Sequence, residues 1–145
     1  MDSVENSEKY AYTVATSLSP SRGDFVVTAA QNATQTIQAA VNAAAADPHI
    51  KRVVLGAGTF TLSNTVNIPT GITVVGSGFG TTVAGTGVFP AFTLNAAGNQ
   101  TITGIRFSSF TFSLIGPASG VFAYGNWLSS APINGNVTGS TTNNL

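Results

Sequence analysis

From Arg52 onward, the apolar residues of this chain fall in short runs with an alternating pattern, and Gly, Asn or Pro ends each run. An alternation of period two predicts short strands with one buried face. Signals for hairpins are nearly missing, because the single Asn-Gly dipeptide, Asn134-Gly135, comes close to the end of the chain. Many short strands with turns but few hairpins favour a coiled stack of parallel strands over an antiparallel meander.

A strand and a helix are predicted ahead of these runs. Residues 25–27 (Phe-Val-Val) suggest a short strand, and Asn32 or Thr34 can cap a helix over residues 35–46. Pro48 stops this helix. Its apolar residues recur at spacings of three and four, which places them on one face: Ile37, Ala40, Val41 and Ala44. A narrow, Ala-rich face of this kind suits a helix that lies close over one end of a core.

The first 24 residues differ from the rest of the chain in composition. They have little sustained apolar periodicity, and no apolar segment typical of a secretion signal. Their charged side chains are Asp2, Glu5, Glu8, Lys9, Arg22 and Asp24. We interpret residues 1–24 as an arm that becomes ordered on a partner, and residues 25–145 as one folded domain.

Residues 33–85 resemble the start of the pectate-lyase-like right-handed parallel β-helix superfamily. The matching stretches are Thr36-Ile37-Gln38-Ala39-Ala40-Val41, Val53-Val54-Leu55-Gly56-Ala57-Gly58-Thr59-Phe60, Ile68-Pro69-Thr70-Gly71-Ile72-Thr73-Val74-Val75-Gly76-Ser77-Gly78 and Thr81-Thr82-Val83. Two positions depart from the family pattern. Thr34 or Gln35 stands where an Asp usually precedes the helix, and Gly56 stands where a Pro is usual in the turn that ends a strand.

The resemblance implies a mainly β fold, namely a short right-handed parallel β-helix with an N-terminal capping α-helix. The chain beyond Lys51 suffices for only about four coils, at the length typical of solenoid repeats. Enzymes of this superfamily are considerably longer. The short stack therefore resembles the fibre and tailspike modules of bacteriophage virions more than a polysaccharide lyase.

The distribution of charged residues argues against an enzyme. Glycoside hydrolysis needs two carboxyl groups that face each other across a groove, and lyases of this superfamily use a basic residue together with acidic Ca²⁺ ligands. The acidic residues here are Asp2, Glu5, Glu8, Asp24 and Asp47. None of them can lie on the later strands, where Arg106 is the one ionisable side chain of the usual catalytic types. We therefore expect no catalytic residue, no cofactor and no metal site.

Composition also excludes several classes of partner for this chain. Charged residues make up 7% and the formal net charge is zero, without the basic stripe of a nucleic-acid binder. No apolar stretch is long enough for a membrane span. Cysteine is absent, which excludes disulfides and thiolate chemistry. A surface of hydroxyl and amide groups suits packing against another chain.

Three short motifs have a functional and a structural interpretation, and the structural one is favoured for each. The only histidine, His49, is expected in an exposed turn rather than at a metal. Arg22-Gly23-Asp24 spells an integrin-binding tripeptide but is explained by a turn before the first strand. Residues 76–80 (Gly-Ser-Gly-Phe-Gly) resemble a phosphate loop, yet the sequence continues as a strand and not as a helix.

Aromatic residues concentrate in the last third of the chain. Because Phe107, Phe110 and Phe112 do not share one alternation, both faces of that segment are predicted to be buried, one in the core and one against a neighbouring subunit. The expected oligomer interface comprises Phe107, Phe110, Phe112, Phe122, Tyr124 and Trp127. The alternative is that these side chains stack on carbohydrate. Self-association follows from composition, and a homotrimer follows from the resemblance to phage fibres.

Two functions remain open from the sequence. The first is a structural protein of a bacteriophage virion, such as a short trimeric fibre, a spike or a capsid decoration, displayed on the particle surface. It would attach to other virion proteins through residues 1–24, with host-surface polysaccharide as a candidate partner. The second is a carbohydrate-binding module, or a non-catalytic fragment related to polysaccharide lyases.

Overall fold

The computed structural model describes residues 24–129 and 131–145, which form twelve β-strands, one α-helix and one short 3-10 turn. The strands are β1 (Asp24–Val27), β2 (Arg52–Leu55), β3 (Gly58–Leu62), β4 (Val66–Ile68), β5 (Thr73–Val75), β6 (Thr81–Gly85), β7 (Phe92–Leu94), β8 (Thr101–Thr103), β9 (Arg106–Ser108), β10 (Leu114–Ile115), β11 (Ala118–Tyr124) and β12 (Val137–Ser140). The helix α1 spans Ala33–Ala46, and the 3-10 turn spans Gly78–Gly80.

The strands form three sheets, and every pairing between them is parallel. Sheet A has six strands in the order β1-β2-β5-β8-β11-β12, sheet B has the order β3-β6-β9, and sheet C has the order β4-β7-β10. From β2 to β10, successive strands enter sheets A, B and C in rotation. The expected mainly β architecture, with parallel strands and a single helix, is therefore confirmed for the described residues.

The register of the sheets stacks apolar side chains in rows that point inward. In sheet B, Phe60 pairs with Val83 and Val83 with Phe107, and all three are fully buried. In sheet A, the equivalent row is Val53, Val74, Ile102 and Ala123, and in sheet C it is Val66, Phe92 and Leu114. The rings of Phe92 and Phe107 meet edge to face across the core with centroids 5.4 Å apart. One apolar core is thus shared by side chains from all three sheets.

Helix α1 begins two residues earlier than predicted, and its predicted apolar face is confirmed. Asn32 occupies the N-cap position, but its side chain makes no capping hydrogen bond. Thr34 does not cap the helix either; its hydroxyl accepts hydrogen bonds from the backbone N–H groups of Ser63 and Asn64 at 2.9 and 3.3 Å. The buried residues of the helix are Ala33, Ile37, Ala40, Val41 and Ala44. Because most of them are small, the helix packs closely against β1, β2, β3 and β4.

The end of α1 is stabilised by Asp47. Its backbone N–H donates to Ala43 O and Ala44 O at 3.1 and 3.2 Å, and its carboxylate accepts hydrogen bonds from the N–H groups of His49 and Ile50, both at 2.7 Å. Partial burial by itself would raise the pKa of Asp47. The two backbone hydrogen bonds and the nearby positive charges outweigh burial and lower that pKa below the usual value for an aspartate.

The chain continues as strand beyond residue 128, where the sequence pattern predicts none. Strand β12 pairs with β11, with Val137 opposite Ala118 and Ser140 opposite Phe122. Only one apolar residue of this strand, Val137, is buried, so it carries no alternation that a sequence pattern could reveal. Backbone pairing with a neighbouring strand, rather than a strong inward-facing row, holds it in place.

Two asparagines close the turn that follows β11. The Asn126 side chain is 1% exposed; its Oδ1 accepts the N–H of Ile105 at 3.1 Å, and its Nδ2 donates to Ile102 O at 3.0 Å. The same Nδ2 donates to Asn144 Oδ1 at 3.0 Å, and Asn144 Nδ2 donates to Ala123 O at 3.0 Å. Two successive turns of the chain are therefore joined through stacked amide groups.

The predicted N-terminal arm falls almost entirely outside the described residues. Its last residue, Asp24, opens β1 and pairs in register with Arg52. Residues 1–23 lie outside the described part of the chain, so the anchor function predicted for them stays a prediction.

Candidate interaction surfaces

The outward side of sheet A carries two rows of side chains in register, which we call the outer face. The first row is Asp24, Arg52, Thr73, Thr101, Phe122 and Ser140. The second row is Val26, Val54, Val75, Thr103 and Tyr124. On every strand of sheet A except β12, these residues alternate with the buried ones, such as Val121 and Ala123 on β11. Strand pairing spaces neighbours within a row by about 4.8 Å.

The outer face is apolar or hydroxyl-bearing over most of its extent. Its charged residues are Asp24 and Arg52 at one end, where Arg52 Nε lies 3.2 Å from Asp24 Oδ1. At the other end, the side chains of Phe122 and Tyr124 are 50% and 45% exposed. Aromatic and β-branched side chains without unpaired charge are typical of surfaces that pack against a protein partner.

The six aromatic residues predicted as an oligomer interface do not lie on one surface. Phe107 and Phe110 are 0% and 6% exposed, so they belong to the core of the chain itself and are not available to a partner. Phe110 packs edge to face against Phe89, with ring centroids 5.6 Å apart. Phe112 and Trp127 are partly exposed. On the outer face, only Phe122 and Tyr124 of the six remain.

The prediction for Phe107 and Phe110 is wrong because the two residues do not belong to one strand. Strand β9 ends at Ser108, and Ser109 follows with a φ of 66°. A non-glycine residue in this left-handed region interrupts the strand and redirects the chain. Phe110 therefore points inward although its position in the alternation would place it on the opposite face to Phe107.

A second exposed aromatic group lies beside Arg106. Phe79 is 58% exposed, and its ring meets that of Trp127 edge to face with centroids 5.3 Å apart. The guanidinium carbon of Arg106 lies 4.3 Å from the centroid of the Phe79 ring. Arg106 also pairs with Trp127 through an isolated parallel bridge. Among the residues that the structure describes, no ion pair engages Arg106, and its guanidinium contacts the Phe79 ring instead.

The sequence pattern does not identify Phe79 as a surface residue of interest. It lies in the 3-10 turn between two glycines, in the segment that resembles a phosphate loop. Strand β6 follows this turn directly, which confirms that no α-helix starts there. The signal that could have identified Phe79 is a large apolar side chain within a glycine-rich turn, where it has no strand face on which to be buried.

An open groove of about 600 Å³ lies between α1 and sheet C. The side chains of Gln38 and Asn42 form the helix side of this groove. The opposite side and the floor are formed by Asn67, Ile68, Pro69, Thr93, Leu94 and Asn95. None of the lining residues is charged. Ile68 and Leu94 are only 1% and 3% exposed, so the groove offers mainly amide and hydroxyl groups, together with the half-buried ring of Pro69.

Gln38 fixes the helix side of the groove to β4. Its Nε2 donates to the carbonyl of Asn67 at 2.8 Å, and its Oε1 accepts the N–H of Asn67 at 2.8 Å. Gln38 Nε2 also donates to Asn42 Oδ1 at 3.1 Å. This two-way contact between one side chain and one peptide group sets the distance between α1 and sheet C.

The opposite side is held by a second set of hydrogen bonds. The hydroxyl of Thr93 donates to Asn67 Oδ1, and that of Thr70 donates to Asn95 Oδ1 at 2.7 Å. Beneath them, the buried Gln100 donates through Nε2 to Ile68 O at 3.2 Å and to Asn95 Oδ1 at 3.4 Å. The Oε1 atom of Gln100 is buried without a partner in the described structure.

The remaining motifs are placed as follows. His49 lies in an exposed turn, as predicted. No group of three His, Asp or Glu side chains within residues 24–129 and 131–145 is placed to hold a metal ion. Of the Arg-Gly-Asp tripeptide, the described residue Asp24 belongs to β1 and pairs with Arg52. No α-helix in the described part of the chain is both long and apolar enough to cross a membrane.

Comparisons of the chain with protein-family models, with curated proteins and with solved structures find no match.

Proposed function

We propose that this chain is a non-catalytic structural protein that associates with further copies of itself through the outer face. The observation that carries the proposal is the combination of Phe122 and Tyr124, each about half exposed, with a continuous row of uncharged β-branched side chains beside them. An isolated chain would leave this area in contact with water. Association would remove it at a gain of roughly 25 cal/mol for each Å² of apolar surface.

The fold within this proposal is a short right-handed parallel β-helix of the pectate-lyase-like type. Its support is the rotation of successive strands through sheets A, B and C, together with the sequence resemblance over residues 33–85. In this reading, the three sheets are the three faces of about four coils. Helix α1, which packs against β1 to β4, covers the N-terminal end of the core.

The proposed setting is the surface of a bacteriophage particle, where the chain is a short fibre, spike or capsid decoration. Residues 1–24 attach it to other virion proteins, and three copies associate. The number three comes from the analogy with phage fibres, whereas association itself comes from the outer face. A non-catalytic protein agrees with the placement of Asp24 and Asp47, since one carboxylate pairs with Arg52 and the other closes a turn.

The test is the oligomeric state of the wild-type protein and of a Phe122→Ser/Tyr124→Ser double variant. Mass photometry and sedimentation equilibrium at micromolar concentration should give three times the 14.7 kDa chain for the wild type. The double variant should shift toward monomer, because both half-exposed rings are removed. The matched control is Phe79→Ser, which removes an exposed aromatic ring outside sheet A and should leave the assembly unchanged.

The outcomes separate the parts of this proposal. A monomeric wild type excludes self-association. A stable dimer excludes only the trimer. If Phe79→Ser dissociates the oligomer and the double variant does not, the contact between copies lies on the surface around Arg106.

A carbohydrate-binding protein is the second candidate. The observation that favours it is the group formed by Phe79, Trp127 and Arg106, where an exposed and a partly exposed ring lie beside a cation without a carboxylate partner among the described residues. Aromatic rings of this kind stack on the C–H face of sugars. Glycan-array binding that is lost in a Phe79→Ser variant would support this function, and mass spectrometry of purified particles tests the structural one.

A further inference from the structure

We propose that the groove between α1 and sheet C binds an uncharged oligosaccharide. This site is separate from the outer face and from the aromatic group around Arg106, and the proposal is independent of how copies of the chain associate. Its volume of about 600 Å³ lies within the range of small-ligand sites, roughly 300–1,000 Å³.

Three asparagines give the groove its hydrogen-bonding character. The Oδ1 atoms of Asn42, Asn67 and Asn95 each accept a hydrogen bond from a neighbouring amide or hydroxyl group of the chain. Within the described residues, no hydrogen bond engages their Nδ2 groups. Because each amide is oriented through its oxygen, the groove presents donors that are already directed before a ligand arrives.

These donors match the chemistry of a neutral sugar. Hydroxyl and ring oxygens accept hydrogen bonds from amide N–H groups, and the half-buried ring of Pro69 offers an apolar surface to the C–H groups of a sugar. No Lys, Arg, Asp or Glu lines the groove, so a uronate or phosphate group would lose hydration without gaining a counter-ion. The site therefore favours uncharged over acidic saccharides.

The groove is also rigid, which favours binding. Gln38 joins α1 to β4 through the two hydrogen bonds to Asn67, and Gln100 supports Asn95 from the buried side. Side chains that are already held in place lose little conformational entropy when a ligand binds. The same contacts make Gln38 unsuitable for a test, because its removal would loosen the helix.

The variants that test the site are Asn42→Ala and Asn95→Ala, with Asn136→Ala as the matched control. Asn136 is an exposed asparagine outside the groove whose side chain makes no hydrogen bond within the described residues. Asn42 lies on the exposed side of α1, where Ala is the better helix former, so this variant should remain folded. Circular dichroism of each variant establishes that the fold is retained before binding is measured.

The probes are cellohexaose, maltohexaose and chitohexaose, with hexagalacturonate as the acidic comparator. Titration calorimetry should detect saturable binding of at least one neutral probe. Each groove variant should weaken that binding by roughly fivefold, the equivalent of one lost neutral hydrogen bond of about 1 kcal/mol. In ¹⁵N-resolved NMR spectra of the wild type, the side-chain NH₂ signals of Asn42, Asn67 and Asn95 should shift with the same probe.

Several results would overturn the proposal. These are no shift of the three amide signals with any neutral probe at millimolar concentration, tighter binding of hexagalacturonate, or equal weakening by Asn136→Ala. Binding that persists in both groove variants while the amide signals stay unchanged would place the sugar elsewhere on the chain. Oligomeric state is not a readout in this experiment, so its outcome does not depend on the proposed self-association.

Discussion

Replacement of the buried Asn126 by Ala should destabilise the chain far more than replacement of the exposed Asn136. The Ala variant leaves the N–H of Ile105 and the carbonyl of Ile102 without the partner that they have at 3.1 and 3.0 Å. The site is 1% exposed, so water cannot replace the amide without local opening. A buried backbone group left unsatisfied costs about 1–3 kcal/mol, so the two groups together predict a loss of roughly 2–6 kcal/mol. Domains of this kind have a total stability of about 5–15 kcal/mol.

The assay is urea unfolding followed by far-UV circular dichroism at one fixed protein concentration, because association would make the midpoint depend on concentration. Asn136→Ala is the control and should change the free energy of unfolding by less than about 0.5 kcal/mol. Asn144→Ala removes one partner of Asn126, so the double variant should lose less than the sum of the single variants. A loss for Asn126→Ala no larger than the control would refute the view that stacked amides hold these turns together.

Two further substitutions test the core and the end of the helix. Phe107→Ala should lower the free energy of unfolding by about 3–5 kcal/mol because it empties a fully buried site. The control Phe79→Ala changes an exposed residue and should cost less than about 1 kcal/mol. Similar midpoints for the two variants in a urea titration would contradict the assignment of Phe107 to the core. The lowered pKa of Asp47 means that its carboxylate stabilises the fold above the ordinary aspartate pKa, and that this contribution is lost as the pH falls through the lowered value. Asp47→Asn should therefore cost up to about 1 kcal/mol of stability at pH 7, since solvent screens the partly exposed group. In thermal unfolding from pH 7 to pH 2, the difference in stability between the variant and the wild type should become smaller. A difference that stays constant with pH would contradict the role of the Asp47 charge.

The sequence predicts elements well where a single face is buried. The apolar residues of α1 recur at helical spacing because one side packs on the sheets, and the helix was expected within two residues of its observed start. The same holds for β5, where Val74 alone points inward. In such elements, the spacing of apolar residues in the sequence matches the spacing of the buried positions.

Prediction fails where backbone geometry or pairing decides the outcome. The left-handed conformation of Ser109 cannot be read from its residue type, so Phe107 and Phe110 look like one strand with two apolar faces. Strand β12 is held by pairing with β11 and has a polar sequence. The role of Asn126 depends on a partner 18 residues away, and a lone asparagine before an aromatic residue gives no signal of burial. The groove combines residues of α1, β4 and β7, which only the tertiary structure brings together.

The outer face carries only two charged side chains, Asp24 and Arg52, and these pair with each other at one end of the face. Apart from this pair, the two rows of the outer face hold no Asp, Glu, His, Lys or Arg side chain. Contacts made through it would therefore respond little to acid or to ionic strength. Apolar burial, however, weakens on cooling. Low temperature, rather than a change of pH or salt, is the condition that would loosen such an assembly.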